Sequence, residues 1–243
     1  MSQLAKDGLP RGAVPSAFDT EAKWYDRLVG ANPGYHDHLR LSARRLALPP
    51  GGTGLRLLDA GCGTGASTAA LLSAAPGAEI TAFDASGEML ARARAKDWPG
   101  NVTFVHTPVE DLAGISGPFD GILAAYLLRN LGDPTAQLRR LRGMLRPGGR
   151  IAIHEYSVRD SRRARGVWNA VCAGVIIPLG KVTTGDATLY RHLRRSVLEF
   201  DGIAALAGRL ADAGFTDVRT GTVPGWQRGI VHTVLGTNPQ EQP

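Results

Sequence analysis

From residue 55 onward, short apolar runs alternate with longer amphipathic or small-residue stretches in a regular rhythm. Leu55–Ala60 (LRLLDA), Glu79–Phe83 (EITAF), Val102–His106 (VTFVH), Phe119–Tyr126 (FDGILAAY) and Arg150–Tyr156 (RIAIHEY) read as strands. Between them, Ser67–Ala75 is a small-residue helix closed by Pro76-Gly77, and Gly87–Lys96 is a second helix. A third follows Asp133-Pro134, carries Leu138, Leu141 and Leu145 on one face, and is ended by Pro147-Gly148-Gly149. Parallel neighbours need crossover connections, so this order predicts an α/β fold with a parallel sheet and helices on both faces.

The two ends depart from that rhythm. Residues 1–16, broken by Gly8, Pro10, Gly12 and Pro15, read as a flexible arm without the continuous apolar core of a signal peptide. Ala17–Leu48 has a helical pattern that stops at Pro49-Pro50-Gly51-Gly52, giving a helical lid over residues 17–50. After the fifth strand, residues 159–200 form a helical insert containing the apolar segment Val171–Leu179. Pro178 interrupts that segment, which is about half the length that spans a bilayer, so the chain reads as soluble and cytoplasmic. A helix over Gly202–Ala213, capped by Gly214, precedes two strand-like runs, Thr216–Val223 and Gly229–Leu235. Pro224-Gly225 between them predicts an antiparallel hairpin. The reading is one domain over residues 17–238, with a tail at 239–243.

Composition narrows the classes. The chain has 243 residues, 43% of them hydrophobic and 21% charged, which argues against wholesale disorder and coiled coil. Cys62 and Cys172 cannot make a disulfide framework or a multi-cysteine zinc site and suit a reducing interior. The net charge of +6 is almost all arginine, which a GC-rich genome would itself produce. No nucleic-acid module accompanies it. Arg159, Arg162, Arg163 and Arg165, followed by Trp168 and the Val171–Leu179 segment, fit either a lipid-facing surface or a solvated face beside buried residues.

The chemistry centres on the end of the first strand. There Asp59-Ala60-Gly61-Cys62-Gly63-Thr64-Gly65 gives the spacing D-x-G-x-G-x-G, without the last glycine of a dinucleotide fingerprint or the GK[ST] of a phosphate loop. Such a turn lets a ligand approach the backbone where side chains would clash. Asp84 closes the next strand, where a carboxylate can accept two hydrogen bonds from a ribose diol.

With these residues in place, the sequence resembles the class I S-adenosylmethionine-dependent methyltransferases, specifically the ubiquinone/menaquinone C-methyltransferase family. The matching stretches are AFDTEAKWYD, LLDAGCGTGAST, FDASGEML, LLRNLGD, LRGMLRPGGRIAIHEYS, TLYRHLRRSV and RLADAGFTDV, from about Ala17 to Leu235. The resemblance implies a Rossmann-like seven-stranded sheet with its last strand antiparallel. It implies S-adenosylmethionine as cofactor, no metal, and methyl transfer to carbon of a reduced quinone or related prenylated phenol. Gly61, Gly63, Thr64 and Gly65 would line the methionine half, Asp84 would hold the ribose, and Met89 and the Val109 backbone would meet the adenine. Asp59 and Ala125 complete the cofactor set, and Tyr25 would fold over it as a lid. Tyr126, Arg129 and Asn130 would face the acceptor. Peripheral contact with a membrane surface and a homodimer are compatible with this reading.

The departures are Pro108, where the family has Asn or Asp, Ala125 where it has Ser, and Leu128 where it has Gly. The family also carries an apolar residue at the position of His154, which is either a specialised catalytic group or a core histidine. As catalytic base, His192 is the first choice and His154 the second, with Arg129 stabilising a phenolate and Tyr190 orienting the ring. His36-Asp37-His38 reads as solvated helix, since no further ligands stand at zinc-like spacing. The alternatives are an O- or N-methyltransferase of specialised metabolism, or a protein that binds the cofactor without transferring methyl.

Overall fold

The computed structural model describes residue 30 and residues 32–240. The expected arm, Tyr25 and the first part of the expected lid, residues 17–29 and 31, lie outside them. The strands are β1 (Arg56–Ala60), β2 (Glu79–Asp84), β3 (Val102–His106), β4 (Phe119–Ala125), β5 (Leu145–Tyr156), β6 (Thr216–Thr222) and β7 (Val231–Thr237). The helices are α1 (Tyr35–Arg45), α2 (Ala66–Ala74), α3 (Gly87–Arg94), α4 (Pro134–Gly143), α5 (Arg162–Val171), α6 (Ile177–Thr184), α7 (Thr188–Glu199) and α8 (Ile203–Asp212). One seven-stranded sheet results, in the order β3-β2-β1-β4-β5-β7-β6. β1 to β5 pair in parallel, whereas β7 runs antiparallel to β5 and β6, as the hairpin reading predicts.

Strand alternation divides the core. Leu57, Ile80, Leu123 and Ala152 face Leu39, Leu46 and Leu71 of the α1–α2 layer. Their neighbours Leu58, Ile122, Ile151 and Ile153 face Leu138, Leu141, Leu206 and Leu210 on the opposite side. Helix starts follow local chemistry: the Ser86, Asp133 and Ser161 side chains accept from the backbone N–H of Met89, Ala136 and Ala164.

Three expectations are corrected. The helix expected over Ala17–Leu48 is broken at Pro33-Gly34, where Gly34 adopts φ 87°, and α1 ends at Arg45. Pro147–Gly149 does not end a helix: α4 stops at Gly143, and the proline and glycines lie inside β5 at a shift in its register with β4. Pro178 does not interrupt the insert either. A π-helical stretch, Cys172–Ile176, joins α5 to α6 without a break, and Pro178 follows directly after that wider turn. Arg162–Thr183 is therefore one helix of 22 residues, long and apolar enough by length and composition to cross a bilayer. It packs onto the domain instead through Trp168 and Cys172, which join Tyr156, Val197 and Val231 in a separate apolar cluster.

Candidate active site

β1, β2 and β4 end side by side, and the glycine turn closes over their carboxyl ends. The N–H groups of Gly61 and Cys62 both donate to the carbonyl of Phe83, at 2.9 Å each, fixing the turn to β2. Asp84 then braces it: its carboxylate accepts from the N–H of Gly63 at 2.8 Å and of Ser86 at 2.9 Å. The glycines do different work. A Cβ on Gly65 would meet the Trp98 ring at 2.7 Å, and one on Gly61 would meet Leu127 Cδ1 at 3.0 Å. Gly63, at φ 53°, would meet nothing within 4 Å and so borders open space. Asp59 is fully buried below the turn, accepting from Ser67 and Thr68 through Oδ2. Its Oδ1 is buried without a hydrogen-bond partner among the described residues, and burial pushes its pKa up to about 7.

A cavity of about 210 Å³ opens at the end of β4, where Tyr126 lines it and the next residue, Leu127, stands where a Cβ on Gly61 would meet it. Its aromatic side is assembled from distant segments. Tyr35, Tyr126, Tyr156 and Trp168 stand ring against ring, with centroids 5.8, 4.7 and 4.8 Å apart in that order. Arg129 faces Tyr126 and Tyr156 with its guanidinium 5.5 and 5.8 Å from their ring centroids. It also donates to Glu155 at 2.7 Å, a pair with side-chain exposures of 6% and 1%. Burial raises the Glu155 pKa, while Arg129 acts against that shift. His192 and Tyr190 of α7 line the opposite side, and Val171, Val175, Ile176 and Leu179 extend the cavity along the 22-residue helix. Burial and, secondarily, Arg129 lower the His192 pKa, so its imidazole is neutral at pH 7.

The sequence pattern of the ubiE/COQ5 methyltransferase family matches residues 12–237. The chain belongs to that family. It is 34% identical over 209 residues to a demethylmenaquinone methyltransferase of Clavibacter sepedonicus, covering 85% of this chain and 84% of that one. It is 31% identical over 222 residues to a ubiquinone/menaquinone biosynthesis C-methyltransferase UbiE of Rhizobium johnstonii, with coverage of 87% and 84%. Among solved structures, the Haemonchus contortus phosphoethanolamine N-methyltransferase 2 bound to S-adenosyl-L-methionine shares the fold, with a TM-score of 0.64 and 18% identity. That match covers 91% of this chain and 57% of the other. The protein is an S-adenosylmethionine-dependent methyltransferase of class I fold.

The residues present suit that cofactor. Gly63 leaves the space, the Asp84 carboxylate retains acceptor capacity beyond its two backbone bonds, and the unsatisfied Asp59 Oδ1 is an acceptor suited to an amino group. Met89 and Val109 are buried at 2% and 4% exposure. In this methyltransferase Asp84→Ala is expected to weaken cofactor binding by roughly 1.5 to 3 kcal/mol, the worth of hydrogen bonds to a charged group. Calorimetry on the folded variant giving the parent affinity would remove Asp84 from the site.

The candidate acceptor residues divide in the same way. Tyr126, Arg129, Asn130, Tyr190 and His192 come together around the cavity. His154 does not join them: it is fully buried behind Tyr126, and a place touching the acceptor is corrected to one behind the wall. His38, expected on a solvated face, is 6% exposed and faces Gln227. Sequence reasoning missed Tyr35, and it placed Trp168 only in the basic and apolar neighbourhood of the insert; both reach the wall through tertiary packing.

Proposed function

We propose that the methyltransferase alkylates a ring carbon of a reduced, prenylated quinone or a closely related phenol held in this cavity. One observation carries the reading: an aromatic wall, a buried guanidinium and a neutral histidine share one cavity with a long apolar extension, at the carboxyl end of β4, the strand paired with β1. When bound, S-adenosylmethionine supplies a methyl group already activated on its sulfonium. His192 takes the phenolic proton onto its imidazole, and Arg129 holds the resulting phenolate, whose electron density passes into the ring carbon. The aromatic wall fixes the ring plane, and the apolar lining keeps water from competing for the methyl group. A prenyl chain suits the extension along Val171, Val175 and Leu179. Incubation with methyl-labelled cofactor and a panel of hydroquinones, phenols and amines tests the assignment. Label on ring carbon of a hydroquinone is expected, and label only on oxygen or nitrogen would overturn it.

The outer end of the cavity supports contact with a lipid surface. Among the described residues, Val175, Leu179, Val182 and Trp226 are the large hydrophobic residues left exposed, at 56%, 40%, 84% and 40%, and three of them also line the cavity. Exposed Arg162, Arg163, Arg165 and Lys181 lie on the same 22-residue helix. The protein is expected to sediment with anionic vesicles and to be released as salt rises, since exposed charges are screened over about 10 Å at 0.1 M. Equal recovery in the supernatant with anionic and neutral vesicles would exclude that contact.

A further inference from the structure

The aromatic wall is held from behind by a buried polar chain that the methyl-transfer chemistry does not use. Arg45 Nη1 donates to Thr233 Oγ1 at 2.7 Å, Thr233 and Ser42 share a hydrogen bond of 2.7 Å, and Ser42 Oγ lies 2.7 Å from His154 Nδ1. On its other side, His154 Nε2 is 3.0 Å from the Tyr126 hydroxyl. Ser42, His154 and Thr233 are each at 0% exposure. Arginine only donates, so Thr233 Oγ1 accepts from Arg45 and its second lone pair or its proton serves Ser42. Both ring nitrogens of His154 are thereby engaged, Nδ1 by Ser42 and Nε2 by the Tyr126 hydroxyl, which also hydrogen-bonds with the Tyr156 side chain.

Tyr126 needs such a clamp. It is a bulky residue at φ 56°, a left-handed conformation that costs about 1–3 kcal/mol and persists only where the surroundings over-determine it. Its N–H donates to the His154 carbonyl at 2.8 Å, and its carbonyl accepts from Arg129 at 2.8 Å and from Asn130 at 3.2 Å. The ring end is fixed by His154 alone among the described hydrogen bonds to its hydroxyl outside the aromatic wall.

We propose that His154 is a positioning residue: through a buried hydrogen-bond chain anchored on Arg45, it sets the pose of Tyr126 and so selects which acceptor rings the cavity takes. Its partners exclude a role as the base. Both ring nitrogens are engaged, and burial, with the facing His38, Arg45 and His232, lowers its pKa to about 3. This inference rests on the acceptor reading above, and the acceptor KM is its measure.

The experiment compares His154→Leu, His154→Gln and Tyr126→Phe, using a soluble short-chain hydroquinone. His154→Leu is expected to raise the acceptor KM about ten-fold, the order of one lost buried hydrogen bond, with cofactor Kd and the pH midpoint of kcat unmoved. His154→Gln, which restores a side-chain N–H, is expected to recover most of that loss, whereas a mere filler of apolar space would favour leucine. Tyr126→Phe, which removes only the hydroxyl, gives the same KM effect and covers the case in which His154→Leu fails to fold. A parent KM in Tyr126→Phe, or a shifted pH midpoint in His154→Gln, would overturn the proposal. Failure of the acceptor reading is separate: the parent enzyme would then leave the hydroquinone unlabelled.

Discussion

Replacing Gly63 by valine is expected to abolish cofactor binding while the protein still folds. The three glycines of the turn do not share this outcome, because Gly61 and Gly65 are closed in by Leu127 and Trp98, so that added atoms there disturb the protein itself. At Gly63 an added Cβ meets no protein atom within 4 Å, and the new methyl groups would occupy the space beside the Asp84 carboxylate. A β-branched residue at φ 53° also strains the backbone that presents the N–H to Asp84, which draws the carboxylate out of place. Thermal unfolding close to the parent, together with no heat of binding on titration with S-adenosylmethionine, is the expected pair of results. Retained affinity in a folded variant would locate the cofactor elsewhere.

His192→Ala is expected to lower kcat by about 10² to 10⁴ with cofactor affinity preserved, the range for loss of a general base. The pH profile carries the sign. A base must be neutral to act, so kcat falls as pH drops through the His192 pKa, which burial and Arg129 hold below the ordinary 6.5. The acidic limb is therefore expected below that value in the parent and absent from the variant. Should His192→Ala keep its turnover and its acidic limb, the proton goes to another group, and Glu155 beside Arg129 is the next to test.

Most strands were legible because they are apolar runs ended by glycine, proline or a polar turn, whereas the polar β6 was read from the Pro224-Gly225 turn that pairs it with β7. The glycine turn was legible for the same local reason. What escaped is non-local. Tyr35, Tyr126, Tyr156 and Trp168 come from α1, the end of β4, the end of β5 and α5, and no spacing along the chain connects them. Pro147 and Pro178 were read as stops because proline usually is one. In the folded chain, a register shift in β5 accommodates the first, and the π-helical turn just before it the second. His154 was legible as a residue on β5 but not as a member of a chain, since Ser42 and Thr233 lie 112 and 191 positions apart from their partners along the sequence.

The meeting of α6 and α7 bears on how this cavity could change over evolution. Gly180 is buried, and a Cβ there would overlap the Tyr190 ring. The tyrosine is thus seated against bare main chain, so a larger residue at 180 requires Tyr190 itself to move or shrink. With Tyr190 in place, alanine at 180 is sterically barred, and the inner end of the chamber is frozen in shape. Variation in acceptor size must then be written at the outer positions Val175, Leu179 and Leu189, which line the cavity and are at least partly open to solvent. Descendants of this scaffold would diverge in the tail they admit well before they diverge in the ring they hold.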